Sequence, residues 1–129
     1  MLRFRNTLSG KIEEFRPMRE GEAGLYYCGP TVWEYGHIGN FRSNVNADIL
    51  RRYLKFKGYK VTHVMNITDV EDRIIAKSQE AGLSIDDYTA KYIEALWEDS
   101  DALGIERPDV VPRATRHIPE MVHLIERLL

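Results

Sequence analysis

The sequence predicts an α/β fold, because two strand-like segments flank one helix-like segment. Apolar residues from Gly24 to Cys28 are typical of a buried strand, and Tyr59 to Met65 alternates apolar and polar residues. Between them, Asn44 to Lys57 has apolar residues at helical spacing and precedes Gly58, a common helix stop. Strand, helix and strand in this order imply a right-handed parallel crossover. We therefore expect a Rossmann-like parallel sheet with flanking helices and ligands at the carboxyl ends of its strands.

The first 20 residues predict a small hairpin or extended arm ahead of this main fold. Leu2 to Asn6 and Lys11 to Phe15 read as short strands on either side of the turn-forming residues Thr7 to Gly10. Pro17 and Gly21 then interrupt any continuing strand. The domain organisation we expect is an arm at residues 1–20 and the first half of a Rossmann-like domain at residues 21–129.

Two helices are expected soon after the second strand. Asp69 can cap a helix from Val70 to Ala81 that stops at Gly82. Ser84 with Asp87 three residues later resembles a capping box for a helix that runs to about residue 103.

The segment 104–112, with its glycine and two prolines, predicts a loop, and Thr115 begins a last helix. Apolar residues at helical spacing predict an apolar stripe on the first helix and one apolar face on the last, which we expect to favour self-association. These are Val45, Ile49, Leu50, Tyr53, Leu54 and Phe56 in the first, and Ile118, Met121, Val122, Ile125 and Leu128 in the last.

Composition narrows the possible functions. With 129 residues and a net charge of -2, the chain has no strongly basic character of the kind that dedicated nucleic-acid binders show. A single cysteine excludes an intramolecular disulfide framework and indicates a reducing, cytoplasmic location. There is no signal-peptide pattern and no apolar run of about 20 residues, so we expect no membrane association. We interpret one basic cluster as a solvated surface and not an RNA contact: Arg51, Arg52, Lys55, Lys57 and Lys60.

The loop between the first strand and its helix carries the residues best suited to chemistry. A thiol at Cys28 and an imidazole at His37 lie on one Gly- and Pro-rich segment that leads to a helix N-terminus. Unpaired amide groups and the positive end of the helix dipole favour an anion there, such as a nucleotide phosphate. Gly36 and Gly39 would let the backbone approach such a ligand closely.

Four motifs in this chain match one known family in order and spacing. They are Cys28-Gly29-Pro30-Thr31-Val32, His37-Ile38-Gly39-Asn40, Asn66-Ile67-Thr68-Asp69 and Pro112-Arg113-Ala114-Thr115. The sequence thereby resembles the class I aminoacyl-tRNA synthetases, and most closely their cysteinyl-tRNA synthetase version. The resemblance implies a cysteine-tRNA ligase, which uses ATP with Mg²⁺ to convert cysteine to cysteinyl adenylate and passes the cysteinyl group to tRNA.

The resemblance also assigns roles to individual residues. It makes Cys28 one of four zinc ligands, with a cysteine, a histidine and a glutamate beyond residue 129 as the others. The zinc ion would bind the substrate thiolate, since zinc prefers sulfur to a hydroxyl. Catalysis would fall to His37 and Asn40, the latter replacing the more familiar second histidine. The implied ATP-binding residues are Pro30, Thr31, Gly36, His37, Ile38, Gly39 and Asn40, and those for the substrate cysteine are Cys28, Gly29, Thr31 and Thr68.

Simpler structural roles remain open for the same residues. Without the motif, Cys28 would most often be a small buried hydrophobic residue. His37 would be an ordinary loop residue about as often as a functional one, and Thr31 and Thr68 could serve only turn or cap chemistry.

Other functions also remain open. Members of the family are several times longer, so we expect a partial chain with little catalytic activity by itself. One alternative is the related ligase that joins cysteine to an amino sugar in mycothiol synthesis. Another is a truncated, non-catalytic nucleotide-binding paralog. The sequence leaves the oligomeric state open, although an incomplete parallel sheet favours self-association through an exposed edge.

Overall fold

The computed structural model describes residues 2–129, and its first element is the predicted hairpin. Strands β1 (Arg3–Arg5) and β2 (Ile12–Glu14) pair antiparallel, with Arg3 opposite Glu14. Phe15, just after β2, packs edge-on against Tyr59 at a ring-centroid distance of 5.7 Å. This aromatic contact holds the arm against the main fold.

The predicted strand, helix and strand are present. Strands β3 (Glu22–Tyr27) and β4 (Lys60–Met65) pair in parallel, and helix α1 (Ile38–Phe56) connects them. This confirms the α/β class. The prediction of a buried first strand is wrong, however, because only Ala23 in β3 is buried and Tyr26 is 67% exposed. Since α1 packs on the sheet, the strand is covered on one face only.

A third extended segment, residues 109–113, runs parallel to β4 on the edge opposite β3. The N–H of Met65 donates to the Val110 carbonyl at 3.1 Å, and that of Ile67 donates to the Pro112 carbonyl at 2.8 Å. Proline suits this edge because it lacks an N–H but still accepts through its carbonyl. We predicted a plain loop here, whereas the segment extends the parallel pairing around β4.

Helices α2 (Asp72–Glu80) and α3 (Ile85–Ala102) pack against each other beyond β4. The predicted cap of α3 is confirmed, because the Ser84 hydroxyl accepts from the Asp87 N–H at 3.0 Å. The predicted cap of α2 is wrong. Glu71 precedes that helix, and Asp69 is instead fully buried, where it accepts a hydrogen bond from the Thr115 N–H at 2.9 Å.

The chain ends in a 3₁₀ turn at Ala114–Arg116 and helix α4 (Ile118–Leu128). The predicted apolar face of α4 forms, but it is not buried. Its residues are 44% to 77% exposed: Ile118, Met121, Val122, Ile125 and Leu128.

The face that α1 buries differs from the predicted apolar stripe. Ile49, Tyr53 and Phe56 are exposed. The buried face includes three polar residues and consists of Phe41, Asn44, Ala47, Asp48, Arg51 and Leu54. A count of apolar residues cannot predict this, because hydrogen bonds and ion pairs formed in the fold offset the cost of burying these polar groups.

Arg51 shows why a polar face can be buried. Its guanidinium donates to the Asp109 carboxylate at 2.9 Å and to the Arg107 carbonyl. Beside it, Arg52 pairs with Asp48 at 2.7 Å and Lys55 with Glu106 at 2.6 Å. The interpretation of this basic cluster as a solvated surface is therefore wrong for Arg51, which is 4% exposed, whereas Arg52 and Lys55 are exposed and pair at the surface.

The hydrophobic core lies under the loop that follows β3. Val32 in that loop, Phe41 on α1 and Ile67 after β4 are buried together with Leu96 on α3. Four separate parts of the chain thus fix the position of the loop between β3 and α1.

Candidate active site at the carboxyl ends of the parallel strands

Helix α1 begins with a mutual cap between His37 and Asn40. The Nδ1 atom of His37 accepts from the Gly39 N–H at 3.0 Å, and the Asn40 Oδ1 accepts from the His37 N–H at 3.0 Å. The helix therefore starts six residues before the predicted Asn44, and Gly39 and Asn40 lie in its first turn. Because Nδ1 accepts, the neutral imidazole carries its hydrogen on Nε2.

This cap changes how the helix end can receive an anion. The backbone N–H groups of His37 and Gly39 are both taken by the cap, and that of Asn40 donates to the His37 carbonyl at 2.9 Å. The expectation of unpaired amides is therefore wrong for these three residues. The donors that remain at this helix end include the Ile38 N–H, the Nε2–H of His37 and the side-chain NH₂ of Asn40. The first turn of α1, all of which the structure describes, holds no acidic residue, so the positive end of the helix dipole is not neutralised.

Close packing explains the two glycines of this loop. A Cβ at Gly36 would lie 2.9 Å from the ring of Phe41, and one at Gly39 would lie 2.8 Å from the imidazole of His37. Any larger residue would displace a core side chain at the first position and the cap at the second. Gly36 thus serves core packing and Gly39 the geometry of the cap, beyond the backbone approach that the sequence suggested.

A cavity of about 350 Å³ opens beside the cap. This volume is in the range of small-molecule sites. Five of the predicted ATP-binding residues line it, namely Pro30, Thr31, Gly36, His37 and Asn40. Ile38 and Gly39 do not, and the Ile38 side chain is 80% exposed.

Three aromatic residues form much of the remaining wall of this cavity, which Val32, Leu96 and the carboxylate-bearing Glu34 complete. Trp33 and Tyr35 come from the loop, and Tyr92 comes from α3 and contacts Tyr35 edge-on at 5.1 Å. Tyr92 was not predicted, because nothing in the sequence indicates which turn of α3 faces the loop.

Helices α2 and α3 support the loop from below. The Tyr88 hydroxyl donates to the Trp33 carbonyl at 3.0 Å. Burial, together with the neighbouring Tyr92 hydroxyl, raises the pKa of Tyr88 to about 12, so it stays a donor at neutral pH. The Arg73 guanidinium lies 5.2 Å above the Trp33 ring, within the range of a cation–π contact.

A second, smaller cleft of about 130 Å³ contains Cys28. It is lined by Gly29 and Pro30 after β3 and by Gly39 and Asn40 at the start of α1. Cys28 is exposed. The alternative that it is a small buried hydrophobic residue is therefore wrong. The structure therefore brings the predicted thiol and the predicted catalytic asparagine into one cleft, and Pro30 and Asn40 line both openings.

Thr31 and Thr68 meet through their backbones. They form a parallel bridge in which the Val32 N–H donates to the Thr68 carbonyl and the Thr68 N–H donates to the Pro30 carbonyl, both at 3.1 Å. Thr31 lines the larger cavity, whereas Thr68 lines neither opening. Because paired residues of a parallel bridge place their side chains on the same face, Thr31 and Thr68 lie side by side, next to the cleft that Cys28 and Gly29 line.

Asn66 joins these parts, and sequence reasoning assigned it no role. Its Oδ1 accepts from the Gly29 N–H at 3.1 Å and from the Tyr26 hydroxyl at 2.9 Å, and its Nδ2 donates to the Thr68 hydroxyl at 3.2 Å. A Cβ at Gly29 would lie 1.8 Å from the Asn66 carbonyl oxygen, so only glycine fits there. Its position could have indicated a role at the site, since Asn66 is the first residue after the carboxyl end of β4.

Asp69 anchors the same segment from its buried side. It accepts a hydrogen bond from the Arg113 Nε at 2.7 Å, and the Arg113 guanidinium also donates to the Asp86 carboxylate on α3 at 3.1 Å. Burial favours the protonated form of Asp69, but hydrogen bonds from Thr115 and from Arg113 outweigh it and lower the pKa. The third and fourth motifs are therefore joined by an ionised carboxylate.

The described residues do not form a complete metal site. Within residues 2–129, no group of three or more His, Cys, Asp or Glu side chains could hold a metal ion. Cys28 could supply one sulfur ligand, so the chain by itself does not fit the four-ligand zinc site implied by the resemblance. Within the same range, no helix is long and apolar enough to cross a membrane.

The parallel β3–α1–β4 unit, with its capped helix and the cleft at the strands' carboxyl ends, is the arrangement that the sequence resemblance implies. The family described as tRNA synthetases class I (C), catalytic domain, matches residues 14–129. The chain belongs to this family.

The chain is also similar to individual enzymes, and those described here are all ligases for the same amino acid, cysteine. The cysteine–tRNA ligase of Koribacter versatilis is 54% identical over 123 residues, which are 95% of this chain and 25% of the relative. That of Legionella pneumophila is 49% identical over 129 residues, or 100% of this chain and 28% of the relative. The corresponding values for Syntrophotalea carbinolica are 47% over 128 residues, 99% and 27%. The chain thus spans about a quarter of the length of these curated relatives.

Proposed function

We propose that this chain provides part of the ATP- and cysteine-binding site of a cysteine–tRNA ligase. Such an enzyme activates cysteine with ATP to cysteinyl adenylate and then transfers the cysteinyl group to tRNA. One observation carries the proposal, namely that the His37–Asn40 cap lies between a ligand-sized cavity and a cleft containing Cys28. The names of the relatives support the same amino acid.

In this proposal, the triphosphate of ATP, with Mg²⁺, binds beside the start of α1. His37 donates through Nε2–H and Asn40 through its side-chain NH₂ to phosphate oxygens, whose charge changes as the carboxylate of cysteine attacks the α-phosphate. Both donors are held by the cap before ATP arrives, so little reorganisation is needed. We keep the remaining proposed ATP contacts as Pro30, Thr31, Gly36, Ile38 and Gly39.

The substrate cysteine is proposed to bind where the cleft meets the larger cavity, through Cys28 and Gly29 of the cleft, Thr31 of the cavity and Thr68, the bridge partner of Thr31. The N–H of Gly29 is already bonded to Asn66, so we assign Gly29 a spatial role, as the residue that lets the two segments approach. We propose Cys28 as one ligand of a zinc ion, whose other ligands are not in this chain. When bound, zinc would select a thiolate over a hydroxyl.

The larger context is part of the same proposal. The parallel β3–α1–β4 unit and the added segment 109–113 support a Rossmann-like half domain at residues 21–129, with an arm at 1–20. We propose that tRNA contacts lie mostly outside this chain and that the protein is cytoplasmic, as its single cysteine suggests.

A chimera tests the proposal. This chain replaces the matching quarter of the Koribacter versatilis ligase, and cysteine-dependent ATP–pyrophosphate exchange is measured, with serine as the control amino acid. We expect exchange with cysteine and at most a trace with serine. A folded chimera without cysteine-dependent exchange would contradict the proposal. Offering tRNA and glucosaminyl-inositol in parallel as acceptors distinguishes the tRNA ligase from the mycothiol alternative.

A further inference from the structure

The side-chain amide of Asn66 has only one possible orientation. Its two ends face different partners, and the N–H of Gly29, at 3.1 Å, can only donate. The amide oxygen must therefore point toward Gly29, where it also accepts from the Tyr26 hydroxyl at 2.9 Å. This leaves the NH₂ group facing the Thr68 hydroxyl at 3.2 Å.

The orientation of Asn66 determines what the Thr68 hydroxyl can do. An amide NH₂ group donates and does not accept, so the Thr68 oxygen is the acceptor in this pair. The hydroxyl hydrogen of Thr68 therefore cannot point at Asn66 and is available to another acceptor. The hydrogen bonds run in one direction, from Gly29 to Asn66 and from Asn66 to Thr68.

The backbone keeps this pair on the open side of the sheet. From His63 to Asp69, alternate residues are buried, and those between them, including Asn66 and Thr68, are half-buried. Both Asn66 and Thr68 lie at the carboxyl end of β4, where ligands bind in parallel sheets. Hydrogen bonds between the Thr68 backbone and Pro30 and Val32 fix its main chain, and the Asn66 amide holds its side-chain oxygen in place.

We propose that Asn66 is a positioning residue, which orients the Thr68 hydroxyl to donate to the carboxylate of the substrate amino acid. This rests on the proposed function, in which Thr68 contacts cysteine. A carboxylate is the expected partner because the ammonium group of the amino acid has only donors, whereas a hydroxyl hydrogen requires an acceptor. The hydrogen bonds from Gly29 and Tyr26, which fix the oxygen end of the amide, thereby contribute to substrate recognition through Asn66.

Asn66→Asp reverses this arrangement with little change in shape. One carboxylate oxygen still accepts from Gly29 and Tyr26, but the other now accepts from Thr68 and turns its hydrogen away from the substrate. Asn66→Asp and Thr68→Val are made singly and together in the chimera, and KM for cysteine and for ATP is measured by pyrophosphate exchange. The double variant separates the effect exerted through Thr68 from any direct effect of the new charge.

We expect Asn66→Asp to raise KM for cysteine about tenfold or more, since a hydrogen bond to a charged group is lost. In the Thr68→Val background the same change should raise it no more than about threefold, because the hydroxyl is already absent. KM for ATP should not change, and Thr68→Ser, which keeps the hydroxyl, should preserve the large effect.

Equal effects of Asn66→Asp in both backgrounds would overturn the role of Asn66, as would an unchanged KM in Thr68→Val. If Asn66→Asp does not fold, Asn66→Ala takes its place in the same cycle, with a smaller coupling of the same sign expected. No coupling there overturns the inference equally. If the unsubstituted chimera is active but its variants show no coupling, only the role of Asn66 is rejected. If the folded, unsubstituted chimera is inactive, the proposed function is rejected and this inference with it.

Discussion

The two ring nitrogens of His37 are not equivalent, because only Nδ1 is held by the helix. That bond caps α1 and sets the tautomer, so the other nitrogen presents a hydrogen in the direction that the cap fixes. A structural role and a proposed chemical role therefore coexist in one side chain. Substitutions can separate them, since asparagine caps helices well but lacks the reach of an imidazole.

We expect His37→Ala and His37→Asn both to reduce pyrophosphate exchange in the chimera by about 100-fold or more, the usual cost of losing one transition-state donor. Only His37→Ala should also lower the free energy of unfolding, by about 1 kcal/mol, because it removes the cap. Exchange rates and urea unfolding of both variants provide the check. Wild-type exchange in His37→Asn would mean that the cap alone matters.

A second histidine, His63, should make stability depend on pH. It is 4% exposed on β4, and neither ring nitrogen has a hydrogen-bond partner within residues 2–129. Burial is the main cause that lowers its pKa, and Arg51 adds to it, while Asp109 and Asp48 act in the opposite direction. The folded state therefore binds a proton less readily than the unfolded state.

The sign of the effect follows from this lowered pKa. Above about pH 6.5, the value for unfolded histidine, both states are neutral and the folded state keeps its full stability. As the pH falls below 6.5, only the unfolded state gains the proton, and stability declines until the pH reaches the folded pKa.

We expect the melting temperature to fall between pH 7.5 and pH 5.5 and to fall less in His63→Leu. His123→Leu is the matched control, because His123 is exposed. The hydrogen bond from the His63 backbone, together with nearby cations, lowers the pKa of Asp109 despite partial desolvation. This shift changes the stability only at more acidic pH. Identical pH profiles for wild type and His63→Leu would contradict the prediction.

Among single residues, the sequence predicted those that a local motif marks. Cys28, His37 and Asn40 were identified because they are close in sequence and share one loop. Asn66, Asp69 and Arg113 were assigned no role or the wrong one, since their contacts join positions 37 to 46 residues apart. Hydrogen bonds over such separations depend on the fold, and one sequence contains no record of them.

At the scale of elements, apolar periodicity predicted the positions of the helices more accurately than it predicted the faces that they bury. The existence of all four helices, the hairpin and the parallel crossover was predicted. The buried face of α1 was not, because its central residue Arg51 is charged and is buried only by virtue of Asp109 and the carbonyls of 106–107. The pairing of 109–113 with β4 was missed for a similar reason, since two prolines made the segment look like a loop.

Arg51, which is buried on α1, should contribute strongly to stability. Arg51→Ala should lower the free energy of unfolding by about 2 kcal/mol or more, because it leaves two carbonyls and the Asp109 carboxylate without their donor. Arg52→Ala is the matched control on the next position, where the side chain is 49% exposed and the expected loss is at most about 1 kcal/mol. Urea unfolding measures both, and equal losses would show that the buried network contributes nothing beyond a surface ion pair.

At the scale of the whole molecule, the described chain leaves several surfaces uncovered that proteins usually bury. Strand β3 has a free edge, since β4 is its only neighbour among the described strands. The apolar face of α4 and the exposed Ile49, Tyr53 and Phe56 of α1 add apolar area. Exposed strand edges pair readily, and large apolar patches promote association.

We therefore expect the isolated 129-residue chain either to be marginally stable or to self-associate. Light scattering over a concentration series, combined with thermal melting, measures both properties. The double variant Val122→Glu/Ile125→Glu, which places charges on the apolar face of α4, should reduce association. The matched control Glu120→Gln/Glu126→Gln, on the same helix, should not reduce it. Because neither pair is buried, both variants should keep the fold. A chain that stays monomeric at every concentration and melts sharply above about 65 °C, beyond the usual mesophile range, would contradict the prediction and would mean that the three parallel segments and four helices suffice for an independent domain.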